Sequence, residues 1–97
     1  LRELGERCSA ADDSARRLLA RLFQGGAIFT RQGSRLGREL LLAHQQLLRA
    51  ESLVWRAGDC DDSAPDESDA LHQEAAALVD RSAQIIARCD ASCARGQ

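Results

Sequence analysis

The richest group of chemically active side chains in this sequence is a run of carboxylates from Asp59 to Asp69. Six of its positions are Asp or Glu and none is basic. Oxygen-rich spacing can bind calcium, but an EF-hand loop needs glycine at its sixth position and glutamate at its twelfth. Counted from Asp59, those positions hold Ala64 and Ala70. We therefore predict no metal and no cofactor, and expect a solvated connection whose carboxylates, with Pro65, begin a helix.

The four cysteines raise two further kinds of chemistry, a disulfide framework and a zinc site. In a chain of three long helices, Cys60 and Cys89 would lie more than ~30 Å apart by helix rise, which excludes a disulfide between them. Zinc needs converging nitrogen or sulfur ligands, and Cys89, Cys93, His44 and His72 have no finger-like spacing. We predict that Cys89 and Cys93, four positions apart on an apolar face, are buried as free thiols.

The two histidines are the remaining candidates for acid–base chemistry, because imidazole titrates near neutral pH. His44 borders the apolar residues Leu40 and Leu48, and His72 borders Leu71. Neither has a matched nucleophile nearby in the sequence, and a helical bundle offers no deep cleft. We therefore predict two boundary residues and no enzyme, although a cysteine and a histidine that meet only in the folded chain stay open.

The composition restricts the elements that can position these side chains. The chain has 97 residues, 44% of them hydrophobic and 29% charged, which suits one soluble domain over residues 1–97. Leu and Ala fill 31 positions while Val, Ile and Thr fill six, which disfavours a fold rich in β-strands. We expect an all-α domain, and the absence of an initiator methionine allows it to be a fragment of a longer protein.

Two function classes lose support at the same step. Apolar runs are only a few residues long, far short of the ~20 that cross a bilayer, so we expect no membrane span and a cytoplasmic location. With two Phe, one Trp and no Tyr, the chain has almost no aromatic surface on which bases could stack. We therefore expect no nucleic-acid partner.

Apolar residues at helical spacing predict three helices. The alternative bounds of the first are Arg2 or Ala10 for its start and Phe23 or Arg31 for its end. We expect it to continue to about Arg31, because Ile28 and Phe29 extend the apolar spacing through two glycines. The second helix is predicted over 35–57 behind Ser34 as N-cap, and the third from about Asp66 to about Cys93, with Gly96 as its stop.

Columns of residues seven positions apart predict how these helices pack. In the second helix the apolar columns are Leu40, Leu47 and Val54 beside Leu41, Leu48 and Trp55, with Ala43, Ala50 and Ala57 as a column of small residues. In the third helix Leu71, Leu78 and Ile85 form one column. Such columns favour long helices that pack nearly parallel. We predict an antiparallel up-down-up three-helix bundle with Leu40, Leu47, Val54, Leu71, Leu78 and Ile85 buried.

The segment from Leu18 to Arg31, LLARLFQGGAIFTR, and the three heptad-patterned helices resemble a spectrin-like repeat. The likeness is to the repeats found beside lipid-binding domains in Dbl-type Rho exchange factors. It covers most of the chain. The resemblance implies a scaffold or spacer that works through protein contacts and has no catalytic residues.

The charge layout is the strongest functional hint. Residues 14–56 carry eight Arg against Glu39 and Glu51, whereas residues 57–80 carry eight acids and no base. The candidate protein-binding residues are Arg16, Arg17, Arg21, Arg31, Arg35, Arg38 and an accessible Trp55 at the bundle edge. A ridge of these arginines would hold a protein with an acidic patch, while the acidic block beside it repels a long polyanion. The competing explanation is that the acidic third helix neutralises the first two across the seams.

Two function classes follow from these observations. The first is a non-enzymatic helical scaffold or protein-interaction module that holds a protein partner through the arginine ridge or an exposed apolar seam. Such a seam would also allow a homo-oligomer. The second is a small self-contained bacterial helical protein, such as a secretion-system component or a chaperone.

Overall fold

The computed structural model describes residues 2–60 and 63–95, which form an elongated bundle of 51 × 18 × 17 Å. Its three α-helices are α1 (Arg2–Gln24), α2 (Arg31–Cys60) and α3 (Pro65–Arg95). A short 3-10 turn, Ala27–Phe29, lies between α1 and α2. The prediction of an all-α chain of three helices is confirmed, and the described residues contain no strand.

Hydrogen bonds between the helices show the directions in which the helices run. Two join α1 to α2 and two join α2 to α3: Cys8 to the carbonyl of Leu47, Asp12 to His44, Ser68 to the carbonyl of Ala57, and Ser82 to the carbonyl of Ala43. In each set the residue numbers rise on one helix as they fall on the other. Consecutive helices therefore run antiparallel, with α1 and α3 parallel.

The first helix ends earlier than predicted. It stops at Gln24 rather than about Arg31, because Gly26 has a φ of 73°, a left-handed conformation that ends a right-handed helix. Ile28 fits the apolar spacing for another reason: it is half-buried in the 3-10 turn and packs against Gly37 of α2. Phe29 is 87% exposed and does not extend the apolar face at all.

The second helix begins four residues before the predicted start. Thr30, not Ser34, is its N-cap, because the Gly33 N–H donates a hydrogen bond to Thr30 Oγ1 at 3.0 Å. The Ser34 N–H instead donates to the Thr30 carbonyl at 2.9 Å, as an ordinary residue of the first turn. The predicted boundary was therefore wrong, and the connection between α1 and α2 is the short segment 25–30.

The third helix begins close to the predicted position. Pro65 is its first residue, where the missing N–H costs no hydrogen bond, and Asp66 and Glu67 lie in the first turn near the positive end of the helix dipole. Asp61 and Asp62 of the acidic run lie outside the described residues, as does the predicted stop at Gly96.

Most of the predicted core is confirmed. Leu40, Leu47, Leu71 and Leu78 are buried, while Val54 and Ile85 are half-buried against the core. The seven-residue spacing therefore identified the correct face of α2 and α3, and Val54 and Ile85 lie at the margin of the core.

The second apolar column of α2 does not contribute to the core as its spacing suggested. Leu41, Leu48 and Trp55 are exposed, and the small column of Ala43, Ala50 and Ala57 is fully buried in its place. Opposite these alanines, α3 presents the equally small buried residues Ser68, Ala75 and Ser82. Small side chains on both helices let the backbones approach, as the serine-to-carbonyl hydrogen bonds at 3.0 and 3.3 Å show. The larger column is consequently left on the outside.

Candidate functional site

The three candidate arginines of α1 do not share one face. Arg16 donates to Asp12 at 3.1 Å, and Asp12 in turn contacts His44, so Arg16 lies on the side that faces α2. Arg21 reaches Asp90 of α3, with 3.9 Å between the charged atoms, so it lies at the opposite seam. Arg17 donates to the Ser14 hydroxyl at 3.3 Å. The structure therefore divides this part of the predicted ridge between two sides of α1.

The three candidate arginines of α2 do form a group. Arg31, Arg35 and Arg38 follow the helical spacing i, i+4, i+7 on the exposed side of the helix. None of them has an ion-pair partner within residues 2–60 and 63–95. We call these three residues the arginine cluster. Its guanidinium groups are free to bind carboxylates or other anions from outside the chain.

Two aromatic side chains lie at the same end of the bundle as the arginine cluster. Phe23, in the last turn of α1, is 62% exposed, and Phe29 of the 3-10 turn is 87% exposed. The sequence analysis missed this pair because it assigned Phe29 to a continuing apolar face. The glycine pair at 25–26 was the available signal, since it takes Phe29 out of register with Leu22.

Charge is separated along the length of the bundle. The end that holds the connection 25–30, here the connection end, includes Arg17, Arg21, Arg31, Arg35, Arg38 and Arg88 against Glu39 and Asp90. The opposite, acidic end includes Glu3, Glu6, Asp59, Asp66, Glu67 and Asp69 against Arg7 and Arg56. The asymmetry therefore runs from end to end of the bundle rather than only from one helix to another.

Some arginines do pair with the third helix, as the competing explanation expected. Arg7 of α1 bonds Asp80, and Arg49 of α2 bonds Glu74 at 3.2 Å. These pairs are exposed, so each contributes little to stability. Neutralisation by the third helix thus reaches Arg7 and Arg21 of α1 and Arg49 of α2, but it does not reach the arginine cluster.

The exposed apolar column of α2 is the second notable surface. Leu41, Leu48 and Trp55, which we call the α2 stripe, are 53%, 53% and 72% exposed. The prediction of an accessible Trp55 at the bundle edge is confirmed. These three large apolar side chains are seven residues apart and form one row, about 21 Å from end to end by helix rise.

Within residues 2–60 and 63–95, neither histidine is hydrogen-bonded to a cysteine. His44 is half-buried, and its Nδ1 lies 2.5 Å from Asp12 Oδ1. Cys8, the cysteine of α1, donates its thiol hydrogen to the Leu47 carbonyl at 3.3 Å, and burial raises the pKa of this thiol. His72 is half-buried with its Nε2 unpaired in the described part of the chain. A thiol held neutral by burial is a poor nucleophile.

Cys89 is fully buried, as predicted, whereas Cys93 is only half-buried. Both are free thiols, and Cys89 donates to Glu39 Oε2 at 3.8 Å. Burial, followed by the charge of Glu39, raises the pKa of Cys89 to about 11. Glu39 lies 21 residues before Cys60 on α2, or roughly 31 Å by helix rise, which keeps Cys60 and Cys89 far apart.

The raised pKa of Cys89 predicts a loss of stability in alkali. Its ordinary value is 9.0 and its folded value about 11, so above pH 9 the unfolded chain loses this proton before the folded chain does. Stability is unaffected by this group below pH 9 and falls as the pH rises toward 11. Denaturant unfolding at pH 8, 9, 10 and 11 should show a smaller decline in Cys89→Ala than in the wild type. Equal declines would contradict the assignment.

Shallow depressions follow the seams of the bundle, and two of them adjoin the surfaces described above. One, of about 570 Å³, lies between the beginning of α1 and the end of α2 and is lined in part by Glu6, Asp13, Glu51 and Trp55. The other, of about 610 Å³, follows the α1–α3 seam. It is lined in part by Ala83 and by Arg7, Arg21 and Asp90, which belong to the exposed ion pairs of that seam. The first extends the α2 stripe towards α1 at its Trp55 end.

Within residues 2–60 and 63–95, no three His, Cys, Asp or Glu side chains converge as a metal site would require. None of the described helices combines the length and hydropathy needed to span a bilayer. The chain matches no protein-family model, no curated protein and no solved structure. The spectrin-like resemblance and the cytoplasmic location stay predictions.

Proposed function

We propose that this chain is a non-enzymatic helical scaffold or protein-interaction module that holds an acidic protein partner at its connection end. The observation that carries the proposal is the arginine cluster, three neighbouring cations on one helix face without ion-pair partners in residues 2–60 and 63–95. The exposed side chains of Phe23 and Phe29 lie at the same end. Arginine and aromatic residues are the types on which binding energy concentrates in protein interfaces.

The spacing of the cluster specifies the partner surface. Arg31 and Arg38 are seven positions apart, or about 10.5 Å along the helix, with Arg35 between them. A partner helix with carboxylates at i, i+4 and i+7 offers the same spacing, and each guanidinium can bind a carboxylate through two parallel hydrogen bonds. The partner we propose is therefore a helix with one acidic face and apolar residues for the two phenylalanines.

A nucleic acid fits this surface less well. Phosphate-driven binding needs a positive surface that follows the strand over many nucleotides. For base stacking the chain offers only three exposed aromatic side chains, Phe23, Phe29 and Trp55. A cluster about 10.5 Å long neutralises only a few phosphates. The expected nucleic-acid affinity is accordingly weak near physiological salt.

The test compares two probes on two matched variants. One probe is a helical peptide with Glu at i, i+4 and i+7, and the other is a single-stranded RNA of equal charge. Replacing Arg31, Arg35 and Arg38 by Gln should lower peptide affinity at least tenfold in fluorescence anisotropy. Replacing Arg49, Arg56 and Arg81 by Gln makes the same charge change elsewhere and should lower it less than threefold.

Two results would overturn the proposal. Equal losses in both triple variants would show that only net charge matters. Micromolar RNA binding by the wild type near physiological salt, lost in the variant of the arginine cluster, would replace the protein-scaffold function with a nucleic-acid function.

A further inference from the structure

The proposed function does not use the α2 stripe, because its exposed leucines and tryptophan lie outside the arginine cluster. An exposed apolar row of this kind is costly to leave in water. We propose that the stripe is the two-fold interface of a homodimer, in which the α2 helices of two copies pack antiparallel about Leu48. The argument rests on the pattern of residues along the exposed side of α2.

The apolar row is complementary to itself under such a two-fold axis. Leu41 lies seven positions before Leu48 and Trp55 lies seven positions after it. In an antiparallel pair, Leu48 meets Leu48 of the partner, and each Leu41 meets the partner's Trp55. Every exposed apolar residue of the stripe is then covered by another, as an isologous interface requires.

A second row of residues, beside the stripe on the outer flank of α2, is complementary to itself in charge. On the outer flank, Arg38 lies ten positions before Leu48 and Asp59 lies eleven positions after it, and both are exposed. The antiparallel arrangement places Arg38 of each copy opposite Asp59 of the other. Between them, Gln45 is placed opposite Ser52, a pair of polar side chains that can share a hydrogen bond.

The inner flank, towards α1, shows the same relation. His44 lies four positions before Leu48 and Glu51 three positions after it. The antiparallel arrangement therefore places the His44 ring of each copy beside the Glu51 carboxylate of the other, a polar contact in place of two like charges. A parallel pair would instead oppose Arg38 to Arg38 and Glu51 to Glu51, so the charges select the antiparallel direction.

The size of this surface sets the expected affinity. From Arg38 to Asp59 the strip is roughly 31 Å long and about 10 Å wide, on the order of 300 Å² per copy. A stable interface buries about 800 Å² per partner. We therefore expect a weak dimer, dissociated at low micromolar concentration, which forms when copies are held close together or are concentrated.

The first experiment measures mass against concentration. Sedimentation velocity from about 5 to 500 µM should show the wild type pass from monomer to dimer. Leu48→Glu places two like charges at the two-fold axis and should remain monomeric throughout. Leu42→Glu is the matched control, because Leu42 is also exposed on α2 but lies on another row, and it should dimerise like the wild type.

The second experiment tests direction and register. In a background with Cys60 and Cys93 changed to Ser, mixed Leu41→Cys and Trp55→Cys proteins should form a disulfide between them on oxidation, and Leu48→Cys should cross-link to itself. Leu41→Cys alone should not, since an antiparallel pair holds two copies of position 41 about 21 Å apart. Exchanging charges in Arg38→Asp with Asp59→Arg should restore a dimer that either single change weakens.

The outcomes separate this proposal from the proposed function. A wild type that is monomeric at 500 µM, or a dimer that Leu48→Glu leaves intact, overturns the two-fold interface. Self-linking of Leu41→Cys overturns the antiparallel direction. Acidic-peptide binding through the arginine cluster should survive in Leu48→Glu, in which Arg38 is not engaged by a second copy, so loss of dimerisation alone leaves the function of the connection end untouched.

Discussion

Replacing Leu47 with alanine is expected to lower the free energy of unfolding by about 2–5 kcal/mol. Leu47 is 2% exposed, and its neighbours across the bundle are the buried residues of α1 and α3. Truncation removes side-chain carbons from contact with these neighbours and leaves a cavity that a close-packed core fills only in part. In a domain of 97 residues this is a large share of total stability. Chemical denaturation followed by circular dichroism measures the loss.

The adjacent residue supplies the control for this prediction. Leu48 has the same chemistry and the next position on α2, but it is 53% exposed. At about 5 µM protein, where the proposed dimer is dissociated, Leu48→Ala should change stability by less than about 0.5 kcal/mol. Equal effects of the two substitutions, or a loss below about 0.5 kcal/mol for Leu47→Ala, would mean that the register of α2 is different.

Replacing Gly33 with alanine should destabilise the fold by on the order of 1–3 kcal/mol or more. A Cβ atom at this position would lie 1.7 Å from the Ala27 carbonyl oxygen, a backbone atom that cannot move without displacing the 3-10 turn. Relief of such a clash in a packed region costs on the order of 1–3 kcal/mol or more. The Thr30 cap, whose hydroxyl accepts the Gly33 N–H, would be disturbed by the same displacement. Thermal unfolding and denaturant titration both report the change.

A second glycine of the same helix provides the opposite expectation. A Cβ atom added at Gly58 would meet no other atom within 4 Å, and this glycine lies exposed near the end of α2. Gly58→Ala should therefore stabilise the protein by up to about 1 kcal/mol through helix propensity alone. If both substitutions stabilise, the close approach of the 3-10 turn to α2 is wrong.

The number of helices and the position of the core could be predicted because both depend on local spacing. Leu40 and Leu47 in α2, and Leu71 and Leu78 in α3, are each seven residues apart, and a spacing of seven keeps side chains on one face. Burial of that face follows from its apolar character. The end of α1 could not be predicted in the same way. The spacing of Ile28 indicates that its side chain contacts the core, but it does not determine the backbone conformation of Gly26, which ends the helix.

The choice between two neighbouring columns of α2 also exceeded what spacing can decide. Leu48 is more hydrophobic than Ala50, so a sequence pattern favours its burial, yet Ala50 is buried and Leu48 is exposed. The reason lies on another helix: α3 presents Ser68, Ala75 and Ser82, and small residues on both sides allow close helix packing. A pattern within one helix contains no information about the size of the residues that face it.

The candidate arginines show the same limit for a surface. Their exposure follows from charge and could be predicted, but their ion pairs depend on contacts across the bundle. Arg21 has a partner in Asp90, which lies 69 positions away in the sequence, whereas Arg35 has none in the described residues. Only the folded arrangement separates arginines that are already neutralised from those that are available to a partner.

The separation of charge along the bundle determines which charges a ligand senses when it approaches one end. At physiological ionic strength electrostatic interactions are screened over about 8 Å, and the bundle is 51 Å long. The two ends are therefore electrostatically independent: an anion at the connection end does not sense the carboxylates at the other. Repulsion by the acidic block cannot then exclude a long polyanion, as the sequence suggested. What limits the binding of such a ligand is the short row of three arginines, and each cation added to that row would allow one more anionic group of the ligand to be bound.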